Sequence, residues 1–197
     1  IDKHYFLNEI EIAKKLLTFN HGMKALDIGG GIGKAHIALT NNGFDTTSIE
    51  PSESFRNLAI SKYKLPENKY LLNSIEEANL EENYYDFITF GAVLEHLNDP
   101  SDSIIKAMKW LKKGGVIQIE VPSSKHLIAK IYNLFFKIRG TNYVTNLSPM
   151  HEPYHLYEFD LKSFEKHAIQ HNYQIAKYEY FVCNIYNLPR FTHAFLR

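Results

Sequence analysis

Cysteine is almost absent from this 197-residue chain, and Cys183 is the only one. A lone thiol makes no internal disulfide, completes no thiolate zinc site and forms no CxxC redox pair, so a disulfide scaffold and a zinc ribbon are both excluded. Surplus charge of either sign is missing too, with 22 Lys and Arg against 22 Asp and Glu. Holding nucleic acid or anionic lipid through bulk electrostatics needs a cationic excess. No nucleic-acid partner and no membrane partner is therefore expected, a local basic patch aside. A run of about 20 apolar residues is also lacking; the most apolar stretch, residues 126–138, is broken by Lys130 and Lys137. No charged-then-apolar leader follows Ile1, and with so little cysteine the expected compartment is a reducing cytoplasm.

What the chain has is 45% hydrophobic residues, enough for one ordinary globular domain. They fall in strand-length apolar runs that alternate with helix-length amphipathic stretches, the pattern of an α/β fold with a mostly parallel sheet and helices on both faces. Strands are predicted over residues 24–28, 46–50, 70–73, 86–90 and 116–121. Predicted helices run through Ile10, Ala13, Leu16 and Leu17 up to Gly22, and over 34–42 with Gly43 just past the end. Another starts from a Ser52 cap, and one runs from Asp99-Pro100 to a stop at Gly114-Gly115. A last helix is expected over 161–171 and a last β-like run over 175–182.

The sharpest local signal is Leu26-Asp27-Ile28-Gly29-Gly30-Gly31-Ile32-Gly33, set between a strand and a helix. Glycines there turn the chain tightly and let backbone N–H groups approach a ligand. A dinucleotide fingerprint needs glycines at i, i+2 and i+5, yet Lys34 or His36 occupies the last position in the two registers available. A Walker A loop fails as well, since Gly29 and Gly33 enclose only three residues and Ala35 follows Lys34. What fits is Asp27-x-Gly29-x-Gly31-x-Gly33 followed by Glu50 at the end of the next strand, 19 positions past Gly31. A carboxylate there can accept from both ribose hydroxyls of a nucleoside held over the sheet edge without a pyrophosphate.

With ALDIGGGIG (25–33), SIEPS (48–52), YDFITFGAVLEHLNDP (85–100), LKKGGVIQIEVPS (111–123) and PYHLYEF (153–159) in this order, the chain resembles the class I S-adenosylmethionine-dependent methyltransferases over residues 22–182. Its nearest look is to the small-molecule branch. The resemblance implies a Rossmann-like sandwich with S-adenosylmethionine as cofactor and S-adenosylhomocysteine as product. It places the methionine part against Gly29, Gly30, Gly31 and Gly33 with Asp27 supporting the loop, the ribose on Glu50, and the adenine beside Pro51 and Ser52. Where the family often carries an Asp after the third strand, this chain has Asn73-Ser74-Ile75, so Ser74, Ile75 or their backbone takes that place. Gly91 and Ala92 lie closest to the sulfonium. The family's seventh strand has no convincing match after Val182.

The resulting expectation is one domain, residues 1–197: an N-terminal helix over 1–21, a cofactor-binding core over 22–122, a lid or acceptor insertion over 123–159, and a C-terminal helix and strand over 160–197. Methyl transfer from a sulfonium relies on positioning, and a base matters chiefly for a hydroxyl acceptor. His155, His151 and His96 are the candidate bases, in that order. No metal is expected, because Ala92 stands at the first acidic position of the E-x-x-E-H run with which some relatives hold a divalent cation. The apolar stretch 126–138 serves as a lid, as the face of a homodimer or as core. The acceptor is a small molecule, a sugar, natural-product or quinone-like hydroxyl. A non-catalytic S-adenosylmethionine-binding partner or sensor is the first alternative. A nicotinamide oxidoreductase on a similar sheet is the second, with the missing fingerprint glycine against it.

Overall fold

The computed structural model describes residues 6–124, 127–144, 147 and 154–180, the side chains of 127–129 excepted. Five strands form one sheet: β1 Lys24–Ile28, β2 Asp45–Glu50, β3 Tyr70–Leu72, β4 Tyr85–Gly91 and β5 Leu111–Glu120. Their spatial order is β3-β2-β1-β4-β5, and every neighbouring pair is parallel. β1 takes the centre because Lys-Ala-Leu-Asp-Ile buries four of its five residues, as a strand covered on both faces must. The chain proceeds outward from β1 to β3 and then returns to β1's other side as β4. That reversal opens a crevice beyond the carboxyl ends of β1 and β4, the position where open α/β sheets bind ligands.

The helices are α1 Leu7–Leu17, α2 Lys34–Asn41, α3 Glu53–Tyr63, α4 Pro100–Trp110, α5 Leu127–Ile138 and α6 Leu161–His171. Side-chain caps fix three starts: Ser52 accepts from Phe55 N–H at α3, Asp99 from Asp102 N–H at α4, and Asp160 from Ser163 N–H at α6. Each such cap contributes about 1 kcal/mol. Phe6, Ile10 and Ala13 from α1 and its start pack with Ala25, Leu39, Phe44 and Phe87 into one buried cluster on the sheet.

Two expectations are corrected. The helix entered at Asp99-Pro100 ends at Trp110, and β5 begins at Leu111 rather than near Val116. Backbone N–H groups of Asn83 and Tyr84 take the carbonyls of Lys109 and Trp110, closing the helix early. Gly114-Gly115 instead sits where the β4–β5 register slips between Tyr85 and Phe87, a bulge in the strand and not a helix stop. The β-like run over 175–182 forms no strand among its described residues, 175–180.

The chain divides into two compact units, Ile1–Phe159 and Asp160–Arg197. In the second, α6 is followed by Tyr173, whose hydroxyl lies 3.0 Å from His167 Nδ1. In the first, Ser124 N–H donates to Phe159 O and Phe159 N–H donates to Pro122 O, at 2.9 and 3.1 Å. The stretch between them thus leaves and re-enters at one point. No described helix is long and apolar enough to cross a membrane.

Candidate active site

The glycine loop leaves β1 and is held from two sides. Gly29 and Gly30 N–H both donate to Ile49 O on β2. Gly31 has φ +53°, a conformation costly for a residue with a Cβ, and its N–H donates to Glu50 Oε2 at 2.7 Å. Glu50 Oε1 accepts Ser52 N–H at 2.8 Å. One buried carboxylate therefore ties the loop after β1 to the start of α3. A carboxylate offers about four lone-pair directions, so about two remain for hydroxyls of a ligand.

Beneath the loop lies a layer that the sequence reading missed. Tyr70 Oη donates to Gly31 O at 3.0 Å, and a Cβ on Gly30 would collide with that same hydroxyl. Burial raises the Tyr70 phenol, so it stays a donor. Ser48 O–H donates to Asp27 Oδ2 at 3.2 Å, and His36 Nδ1 lies 2.8 Å from Ser48 Oγ. All three residues are buried. Burial pushes the Asp27 carboxyl up to about 7, against the pull of the Ser48 hydroxyl. Burial, with nearby Lys69, pushes the His36 imidazole down to about 4. A neutral His36 donating Nδ1–H to Ser48, which donates to Asp27, satisfies the whole chain. Ser48 in the middle and out of reach of solvent is a support and not a nucleophile.

Above the loop there is room. A Cβ on Gly31 would have only Gly29 O for company, at 4.0 Å. Gly91, the last residue of β4, has neither a left-handed backbone nor any atom within 4 Å of where a Cβ would stand. Nothing among the described residues requires glycine there, whereas a ligand resting on the strand end would. Pro51 is exposed and Ser52 half-buried at the α3 cap. Ser74 Oγ accepts Glu77 N–H at 3.3 Å, and Ile75 is buried. Ala92 is exposed at φ +55°, its N–H held by Glu120 O. Glycines with free space above them and a carboxylate with spare acceptor capacity fit a nucleoside with a slender tail.

Past Ala92, a short 3-10 turn over Leu94–His96 buries Leu94 and Glu95 and leaves His96 at the surface. Residues 154–157 dock on it: Leu156 N–H donates to Glu95 O at 2.8 Å, and Tyr157 Oη to Asn98 O at 2.8 Å. His96 Nδ1 lies 2.9 Å from Tyr154 O. A carbonyl only accepts, so Nδ1 is the donor in that contact. The docking sets the rings of His96 and His155 4.8 Å apart, edge to face. Two of the three candidate bases thus meet, while His151 lies outside the described residues. Glu95 joins them: Glu95, His96 and His155 bring one ligand atom each within 4.8 Å of one another. Glu95 Oε2 is buried without a hydrogen-bond partner among the described residues, and burial raises its carboxyl. Burial and then the charge of Glu95 raise Glu120, at the end of β5.

A parallel sheet of order β3-β2-β1-β4-β5, with a glycine loop after β1 tied to the carboxylate that ends β2, defines a Rossmann-like domain. The chain belongs to the methyltransferase domain family, whose model matches residues 4–178. The oxidoreductase alternative falls with that assignment. The chain is 28% identical over 161 residues to a ubiquinone biosynthesis O-methyltransferase of Bordetella avium, covering 79% of this chain. It spans 63% of that relative's length. Among solved structures it resembles the YcgJ protein of Bacillus subtilis, with TM-score 0.62, 16% identity and coverage of 83% and 67% of the two chains. It also resembles phosphoethanolamine N-methyltransferase 2 of Haemonchus contortus in complex with S-adenosylhomocysteine. There the TM-score is 0.60, identity is 20%, and coverage is 83% of this chain and 36% of the other.

Proposed function

We propose that the chain transfers a methyl group from S-adenosylmethionine to a hydroxyl of a small molecule, with His155 as general base and His96 as its neighbour. One observation carries this reading: residues 154–157 hydrogen-bond to the turn after β4 and so place two imidazoles together beside that strand end. A quinone-like hydroxyl is favoured over a sugar or another natural product, because the curated relative is named for ubiquinone biosynthesis.

Bound S-adenosylmethionine supplies an electrophilic methyl and a neutral thioether leaving group. Gly29, Gly30, Gly31 and Gly33 receive its amino-acid end, with Asp27 beneath. Glu50 accepts from the ribose hydroxyls, Pro51, Ser52, Ser74 and Ile75 border the adenine, and Gly91 and Ala92 leave room for the sulfonium. His155, with His96 beside it, would hold the proton that the acceptor hydroxyl gives up on methylation. The stretch 123–159, whose two ends are clasped at Pro122, Ser124 and Phe159, serves as the cover that keeps water from the acceptor.

A second reading has support in the same cluster. Glu95, His96 and His155 form a donor set suited to a borderline cation such as Zn²⁺ better than to Mg²⁺, and the orphaned Glu95 Oε2 fits it. The test is a set of turnover assays with catechol-like, sugar and natural-product alcohols. His155→Ala lowers turnover by about 10² to 10⁴, the loss typical of a general base, and leaves S-adenosylhomocysteine affinity within about twofold. An unchanged rate removes His155 from the chemistry. Loss of turnover on chelation, restored by Zn²⁺, favours the cation. Tight cofactor binding with no turnover on any acceptor favours the non-catalytic alternative.

A further inference from the structure

We propose that α5 is a surface-seeking helix that seats this chain on an anionic lipid leaflet, an inference independent of the acceptor chemistry above. Ile131, Leu134, Phe135 and Ile138 recur at i, i+3, i+4 and i+7, which places them on one stripe of the helix. A stripe of this kind normally faces a core. Here all four are exposed, from 49% at Phe135 to 76% at Ile138, and α5 makes only marginal contact with the other helices and strands.

Charge decides what covers the stripe. On a helical projection Lys130 and Lys137 border one edge of it and Arg139 the other, with the Arg139 guanidinium 5.2 Å over the Phe135 ring. Residues 121–151 hold four cations, Lys125, Lys130, Lys137 and Arg139, and no Asp or Glu. In a chain with 22 charges of each sign, the remainder is net acidic by the same four. The segregation is local and therefore invisible in the net charge. An apolar stripe flanked by cations matches a bilayer interface, where the stripe enters the acyl boundary and long Lys and Arg stems reach back to anionic headgroups. A symmetric pairing of two copies through this patch would set cations against cations, since an isologous interface meets itself. With 12 residues, about 18 Å at 1.5 Å per residue, α5 lies along a bilayer and does not span it.

The test is vesicle co-flotation of the full chain, with pure phosphatidylcholine against a 70:30 mixture of phosphatidylcholine and phosphatidylglycerol at 0.1 M NaCl. The chain floats with the anionic vesicles and not with the neutral ones, and 0.5 M NaCl releases it. Lys130→Ala with Lys137→Ala lowers the partition coefficient by about 25-fold, from roughly fivefold per cation at a membrane surface. Phe135→Ser with Ile138→Ser abolishes flotation while the circular-dichroism melt keeps its midpoint. No flotation with anionic vesicles, equal flotation with both compositions, or variants that float like the parent each overturn the proposal. So does a dimer in analytical ultracentrifugation that Leu134→Glu dissolves, which would assign the stripe to a second copy.

Discussion

Replacing Glu50 with alanine tests the nucleoside clasp most directly, because one side chain serves both the resting loop and the ligand. In the free protein its two oxygens accept Gly31 N–H and Ser52 N–H at 2.7 and 2.8 Å. Gly31 and Ser52 are half-buried, so water replaces part of what is lost, and the variant is destabilised by about 1–2 kcal/mol. Binding suffers separately. The spare acceptor directions that would receive the ribose hydroxyls disappear, and hydrogen bonds to a charged acceptor contribute about 1.5–3 kcal/mol. S-adenosylhomocysteine affinity should fall roughly 10- to 150-fold. Calorimetric titration measures the second effect and urea unfolding the first. An affinity within twofold of the parent would refute the reasoning, because the carboxylate would then be a loop anchor alone. A loss of stability without a loss of affinity has the same meaning.

Gly91→Leu should change stability by no more than about 0.5 kcal/mol, because no atom approaches a Cβ there and φ is not left-handed. The same change should abolish detectable S-adenosylhomocysteine binding, and calorimetry that still finds it would clear the β4 end of ligand. The buried pair below the loop predicts opposing pH dependences. Asp27, raised to about 7, keeps its proton in the folded state between about pH 4 and 7 while the unfolded chain has released it, so rising pH removes stability there. His36, lowered to about 4, stays neutral when folded while the unfolded chain is still protonated up to about pH 6.5, so rising pH adds stability. His36→Asn keeps a donor for Ser48 and deletes the second slope, and its unfolding free energy from urea titrations should fall from pH 4.5 to 6.5 by on the order of 1 kcal/mol per pH unit relative to the parent. Equal slopes in variant and parent would show that burial does not hold His36 neutral in the folded state at pH 4.5.

The cofactor side was legible because its signals are local. Gly31 and Glu50 lie 19 positions apart, on a loop and at the end of the adjacent strand, and parallel pairing of Ile28 with Ile49 brings their backbones together. Caps at Ser52 and Asp99 were equally readable, since each places an acceptor just before a helical run. Tyr70 was not readable: it supports Gly31 from two strands away, and only the order β3-β2-β1 explains how. Gly114-Gly115 misled because a glycine pair marks a helix end and a strand bulge alike, and the hydrogen bonds of Asn83 and Tyr84 that separate the two cases come from a distant segment. Likewise, alternation over 175–180 met the criterion for a strand, but a strand exists only when a neighbour pairs with it.

The acceptor side differs in how it is held. Strands, buried hydrogen bonds and a carboxylate hold the glycine loop, whereas His155 owes its place beside His96 to contacts between residues 154–157 and the turn that follows β4. Several of those bonds lie at the surface, where water competes for both partners. On the function proposed above, changes in the 154–157 segment would move the base and reshape the acceptor space while leaving the glycine loop intact. A rigid sheet edge with a loop-borne base can exchange acceptors without losing its methyl donor, which is how one fold carries many specificities. On that proposed function the identity of the acceptor would be set by residues 123–159 and not by the Gly29–Gly33 loop.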